Sequence, residues 1–153
     1  MNIYFLRHCE ADYRKDNQGN VLNIPLTKKG QRHANKIAKT LSKKSFDVII
    51  CSDALRAIQT IEPYVISTDV KITYDKRLRE VEDILTGYGK IHRIKEPITA
   101  QKKRLDNIVK GIRRMKCNNI LIVAHFNVID YISKKFGEHV TKPQYGSLNR
   151  IFI

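Results

Sequence analysis

Two short apolar runs, Ile3-Tyr4-Phe5-Leu6 and Ile120-Leu121-Ile122-Val123-Ala124, each lead into a histidine: His8 after the first, His125 after the second. Apolar runs this short, lacking polar alternation, read as strands buried on both faces. Strands of that kind belong to parallel sheets covered by helices on either side. In open sheets of this class, ligands bind outside the carboxyl ends of the strands. Both histidines, with Arg7 beside the first, therefore fall where such a sheet presents its chemistry.

The intervening sequence supplies the helices. Pro25-Leu26-Thr27 leads into Lys28–Lys44, where Ala34, Ile37, Ala38 and Leu41 recur at i, i+3, i+4 and i+7. Thr27 is the expected N-cap, its hydroxyl accepting an orphan N–H of the first turn. A second strand is expected over Phe46–Ile50, then a cap pair at Ser52-Asp53 and a helix over Ala54–Ser67, kinked or cut by Pro63. Lys71–Tyr74 reads as a third strand, and 75–97 as mostly loop, a short lid. Thr99–Lys116 is helical, with Leu105, Ile108, Val109, Ile112 and Met115 on one face and a basic, solvated face opposite. A helix from about Asn127 to Phe136 and a last strand, Leu148–Ile153, complete the chain. The expected fold is a three-layer α/β sandwich: a mainly parallel central sheet, helices on both faces, and an antiparallel edge strand. Residues 1–153 are expected to form a single domain, since no repeat or linker interrupts them.

The composition limits the function classes. A net charge of +14 over 153 residues favours acidic partners. No run approaches a membrane span, and the N-terminus has no secretory signal pattern. Three cysteines at no metal-like spacing suit reduced thiols, so a cytoplasmic protein is expected. The chain shows no aromatic-interleaved basic motif, so nucleic acid is not an expected partner. Nothing specifies an oligomeric state.

Four spots place ionisable residues just after a strand: Arg7-His8, Ser52 through Arg56, Arg79-Glu80 and His125. Together they suit phosphoryl transfer. Guanidiniums grip phosphate oxygens, an imidazole attacks phosphorus, and a carboxyl protonates the leaving oxygen. Fixed guanidinium charge makes a metal or other cofactor unnecessary.

These residues resemble the histidine phosphatase superfamily, the phosphoglycerate-mutase-like family. Arg7-His8-Cys9-Glu10 stands for its Arg-His-Gly-Glu signature, and Pro25-Leu26-Thr27-Lys28-Lys29-Gly30-Gln31 for its Pro-Leu-Thr block. Ser52-Asp53-Ala54-Leu55-Arg56-Ala57-Ile58-Gln59-Thr60 matches Ser-x-x-x-Arg-Ala-x-Gln-Thr. Leu78-Arg79-Glu80 matches the acid motif, and Ile122-Val123-Ala124-His125 the second-histidine strand. The resemblance implies that His8 becomes phosphohistidine and that Arg7, Arg56 and His125 form the phosphate pocket. It also implies that Glu80 is the acid, with Glu82 as its rival, and that no metal is bound. Cys9, Ala11, Arg14 and Phe126 depart from the family pattern. Cys9 is expected to be an apolar filler, and Arg14, Phe126 and Asn127 to be substrate contacts. His33, His92 and His139 read as surface residues. The expected activity is metal-independent hydrolysis of a phosphomonoester, on a small molecule or a phosphoprotein. The alternatives are a protein phosphohistidine phosphatase, a family member that binds phosphorylated partners without turnover and, last, a nucleic-acid binder.

Overall fold

Side-chain alternation along the central strands decides how the layers form. In β1 (Asn2–Arg7), Ile3 and Phe5 point to one face while Tyr4 and Leu6 point to the other. In β4 (Asn119–Ala124), Ile120 and Ile122 oppose Leu121 and Val123 in the same way. A strand apolar on both faces must be covered on both. The computed structural model, which describes residues 1–15, 21–80 and 96–153, shows this arrangement. A five-stranded sheet has the order β3-β2-β4-β1-β5, with β2 over Val48–Cys51, β3 over Ile72–Tyr74 and β5 over Leu148–Phe152. The first four positions in that order run parallel, and β5 pairs antiparallel with β1.

Helices α1 (Lys28–Leu41) and α2 (Leu55–Val65) cover one face through Ile37, Leu41, Ala57, Ile61 and Tyr64. On the other, α3 (Ile98–Arg113) and α4 (Phe126–Lys135) contribute Leu105, Ile108, Ile112, Val128, Ile129 and Ile132. Each fully buried aliphatic side chain here is worth about 1.5–3 kcal/mol. Among the described residues no helix is long and apolar enough to cross a membrane.

Local chemistry sets the helix ends. Thr27 caps α1 as expected, its hydroxyl accepting from the Gly30 amide at 2.9 Å. The cap of α2 differs from the expected Ser52-Asp53 pair. Ala54 holds the cap position without a side-chain bond, because Asp53 turns away to pair with Arg79. Pro63 does not end α2, which runs on to Val65. Its missing amide and its ring act on one ladder position, the Gln59 carbonyl four residues back.

Gly30 marks the closest approach of α1 to the loop after β1. A Cβ there would lie 2.2 Å from the Glu10 carbonyl oxygen, a backbone atom that cannot swing aside. Gly30→Ala is therefore expected to destabilise the fold by about 2–3 kcal/mol, read as a lower urea midpoint at unchanged slope. An unchanged midpoint would refute this packing.

Candidate active site

Strand register brings the ionisable residues together. Arg7 pairs with Ala124, so the next residues in each strand, His8 and His125, lie side by side. The His8 amide continues the ladder by donating to the Ala124 carbonyl at 3.0 Å. On the far side of β4, Cys51 pairs with Val123, and the Ser52 amide donates to the Val123 carbonyl at 2.9 Å. Three adjacent strand ends thus carry Ser52, His125 and His8 in a row, all buried. The two imidazole centroids are 5.1 Å apart.

Each ring is held by one nitrogen. His8 Nδ1 lies 2.7 Å from the Cys9 carbonyl oxygen. A carbonyl only accepts, so Nδ1 carries the proton and Nε2 the lone pair. His125 Nε2 lies 2.9 Å from Ser52 Oγ, while its Nδ1 is buried without a hydrogen-bond partner among the described residues. Burial above all, then the Arg56 guanidinium, holds both imidazoles well below the usual histidine range. Arg7 depresses both further, and the Cys9 carbonyl opposes the shift at His8. Both rings are therefore neutral near pH 7.

That neutrality has a consequence for stability. The unfolded histidines take up protons as pH falls below about 6.5, and the folded ones resist. Stability is fully present above that value and is lost as pH falls toward the depressed folded pKa values, by up to about 1.4 kcal/mol per pH unit for each ring. Urea midpoints taken from about pH 8 down to about pH 5.5 should show the decline, and His8→Asn/His125→Asn should flatten it. An equally steep acid limb in the double variant would contradict this origin.

Two arginines flank the rings. Arg56, in the first turn of α2, is 4% exposed and donates through Nη1 to the Val21 carbonyl at 2.7 Å. Its guanidinium carbon lies 5.9 Å from the Tyr13 ring centroid. Arg7 donates through Nη1 to the Pro143 carbonyl at 2.8 Å, and its Nε is buried without a hydrogen-bond partner among the described residues. The Arg7 guanidinium sits 3.9 Å from the Tyr145 ring centroid and 5.3 Å from that of Phe126. Tyr145 also packs on His8, at 5.4 Å between centroids. Tyr13 and Tyr145 are site residues that sequence reasoning missed. The usable signal for Tyr145 was an aromatic in the turn entering the strand that pairs with β1.

Glu80 is half-buried at the end of the segment that follows β3. Burial first pushes the Tyr13 phenol up; among the charges acting on it, Arg56 and Arg7 lower it while Tyr145 and Glu80 raise it. Glu80, Arg56 and Arg7 thus all act electrostatically on one phenol. Its backbone is clamped by Arg104, which donates to the carbonyls of Arg77 (2.6 Å), Arg79 (2.9 Å) and Glu80 (3.3 Å). The same guanidinium pairs with the Glu96 carboxylate at 2.9 Å. Arg104 thus departs from the solvated face expected for its helix. Arg79 turns to Asp53 in a bidentate pair, with Nε 2.8 Å from Oδ1. Glu82, His92 and residues 81–95 of the expected lid lie outside the described residues.

The remaining expectations fall as follows. Cys9 is fully buried; its amide donates to Thr60 Oγ1 at 2.9 Å, and burial pushes its thiol up to about 11. It fills the core as an unreactive thiol. Arg14 pairs with Asp12 at 2.9 Å and leaves its side chain 84% exposed. Phe126 and Asn127 open α4, both half-buried. His139 is exposed, and His33 half-buried against α1's neighbouring loop. Two guanidiniums around two neutral imidazoles can hold a dianion and present a lone pair to it.

An α/β sheet carrying paired histidines and arginines at its carboxyl edge defines a class of phosphate-handling proteins, and the comparisons narrow it. The model of the histidine phosphatase superfamily (branch 1) matches residues 3–83. The chain belongs to that superfamily. It is 40% identical over 84 residues to fructose-2,6-bisphosphatase TIGAR of Xenopus tropicalis; that match covers 51% of the chain and 30% of the relative, so it spans under a third of that protein's length. Its fold is similar to the alpha-ribazole phosphatase of Shigella flexneri, with a TM-score of 0.73 at 22% identity over 100% of this chain and 91% of that one. It is also similar to the protein histidine phosphatase SixA complexed with tungstate, with a TM-score of 0.69 at 16% identity over 100% and 88% of the two chains.

Proposed function

We propose that this chain is a phosphatase that hydrolyses a phosphomonoester through a phosphohistidine on His8. The observation that carries the reading is the pair of buried, neutral imidazoles 5.1 Å apart, with Arg56 and Arg7 acting on both. The scissile phosphoryl group lies between Arg7 and Arg56, and His125 offers Nδ1 to one of its oxygens. His8 Nε2 attacks phosphorus; the N–P bond forms as the P–O bond to the leaving group breaks. Glu80 donates a proton to the departing oxygen, then takes one from the water that attacks phosphohistidine. Inorganic phosphate leaves and His8 returns neutral. The guanidiniums supply the fixed positive charge that stabilises the equatorial oxygens, so turnover should persist in excess EDTA.

Rapid quench with a ³²P-labelled monoester tests the intermediate. Acid-labile, base-stable label on His8 supports the proposal; label that never exceeds the His8→Ala blank overturns it. A second reading, binding of phosphorylated partners without turnover, draws on one observation: Tyr145 packs against both His8 and Arg7. Tight phosphate binding with no label in the same quench would establish it. A panel of phosphorylated metabolites and phosphopeptides, phosphohistidine included, separates ester from phosphoprotein substrates.

A further inference from the structure

Helix α1 has no acidic residue, and its first turn carries Lys28 and Lys29. The helix dipole disfavours cations at that end, so their presence there works against stability. Lys29, Arg32, His33 and Lys36 follow the i, i+3, i+4, i+7 spacing and share one face. That face forms one wall of a cleft of about 380 Å³, and Glu10, Gln144 and Tyr145 form the other. Three permanent cations therefore meet one carboxylate. That carboxylate is already engaged: Thr27 Oγ1 donates to it at 2.8 Å and Lys29 Nζ lies 3.4 Å away.

The cleft adjoins the catalytic histidine. Its Tyr145 wall is the ring that packs on His8 and stacks on Arg7. The next residue, Gly146, has φ +68°, and its amide donates to the carbonyls of Arg7 and His8. A Cβ on Gly146 would lie 2.5 Å from His33 Cε1 and 2.7 Å from its Nδ1. So one short turn, held to β1 and packed on α1, separates the cationic cleft from the site around His8.

We propose that this cleft is a second anion subsite, holding a further phosphate or carboxylate of the substrate whose scissile phosphoryl group lies at His8. The inference rests on the phosphatase reading and deepens it, because it names the substrate class as a polyanionic phosphomonoester. Cations placed on one side of the nucleophile add more binding to substrates with two anionic groups than to substrates with one.

Arg32 and Lys36 are both exposed, so Arg32→Gln/Lys36→Gln should fold normally. Its kinetics are compared with the parent on p-nitrophenyl phosphate, a hexose bisphosphate and a phosphoserine peptide flanked by glutamates. KM for a two-anion probe should rise about five- to tenfold, while kcat and KM for p-nitrophenyl phosphate stay within about twofold. An effect on the bisphosphate alone assigns the second anion to a small molecule; an effect on the peptide alone assigns it to acidic side chains. Equal effects on all three probes, or none, overturn the subsite. Calorimetry of the same ligands with His8→Ala, with and without the two glutamines, needs no turnover. Cation-dependent binding there upholds the subsite even if the phosphatase reading fails. Two-anion ligands that bind no tighter than p-nitrophenyl phosphate overturn it even if the phosphatase reading stands.

Discussion

Replacing His8 with alanine should abolish turnover, lowering kcat on p-nitrophenyl phosphate by at least about ten-thousandfold. The size follows from the role: with Nε2 gone there is no N–P bond to form, and the two-step route closes. Phosphate binding should survive, because Arg7, Arg56 and His125 come from other positions. Product inhibition by inorganic phosphate is therefore expected to change by less than about threefold. The variant also lacks one buried ring that resists protonation, so its stability should fall less steeply below neutral pH. Initial rates, product inhibition and pH-dependent urea midpoints on one preparation check all three. Retention of more than about one per cent of kcat would remove His8 from its role.

Glu80→Gln should produce the second large effect, and one that depends on the leaving group. An alkyl phosphate leaves as a poor alkoxide and needs a proton, so its turnover should drop about 10²- to 10⁴-fold. A nitrophenolate departs without one, so phosphorylation of His8 should remain fast. The second step still lacks the base that activates water. The variant should therefore release close to one nitrophenol per site in a burst and then slow, with phosphohistidine accumulating. Equal losses on both substrates without a burst would place the acid elsewhere, Glu82 being the neighbouring carboxyl. The Arg104 clamp makes Glu80 suited to this work, because three backbone carbonyls of residues 77–80 are tied to one guanidinium of α3.

The fold and the strand-end placement of both histidines were legible in the sequence. Apolar runs of four or five residues, bounded by polar ones, suit strands covered on both sides, and the 3.6-residue periodicity of α1 and α3 supplied the covers. His8 and His125 could be placed at strand ends because strand ends are a property of the chain itself. Contacts between distant segments were not legible. Nothing local says that Asp53 leaves the cap of α2 for Arg79, 26 residues on. The sequence pattern of α3 put Arg104 among solvated lysines, and only the approach of residues 77–80 shows it to be a clamp. Tyr145 lies 137 positions beyond His8, yet pairing of β5 with β1 sets it against the ring. Taken alone, the sequence determined which residues could do the chemistry, through periodicity and residue type. The tertiary structure decided which of them meet, how each imidazole is turned and where the cationic face of α1 opens, because register and helix packing join segments that share no local signal.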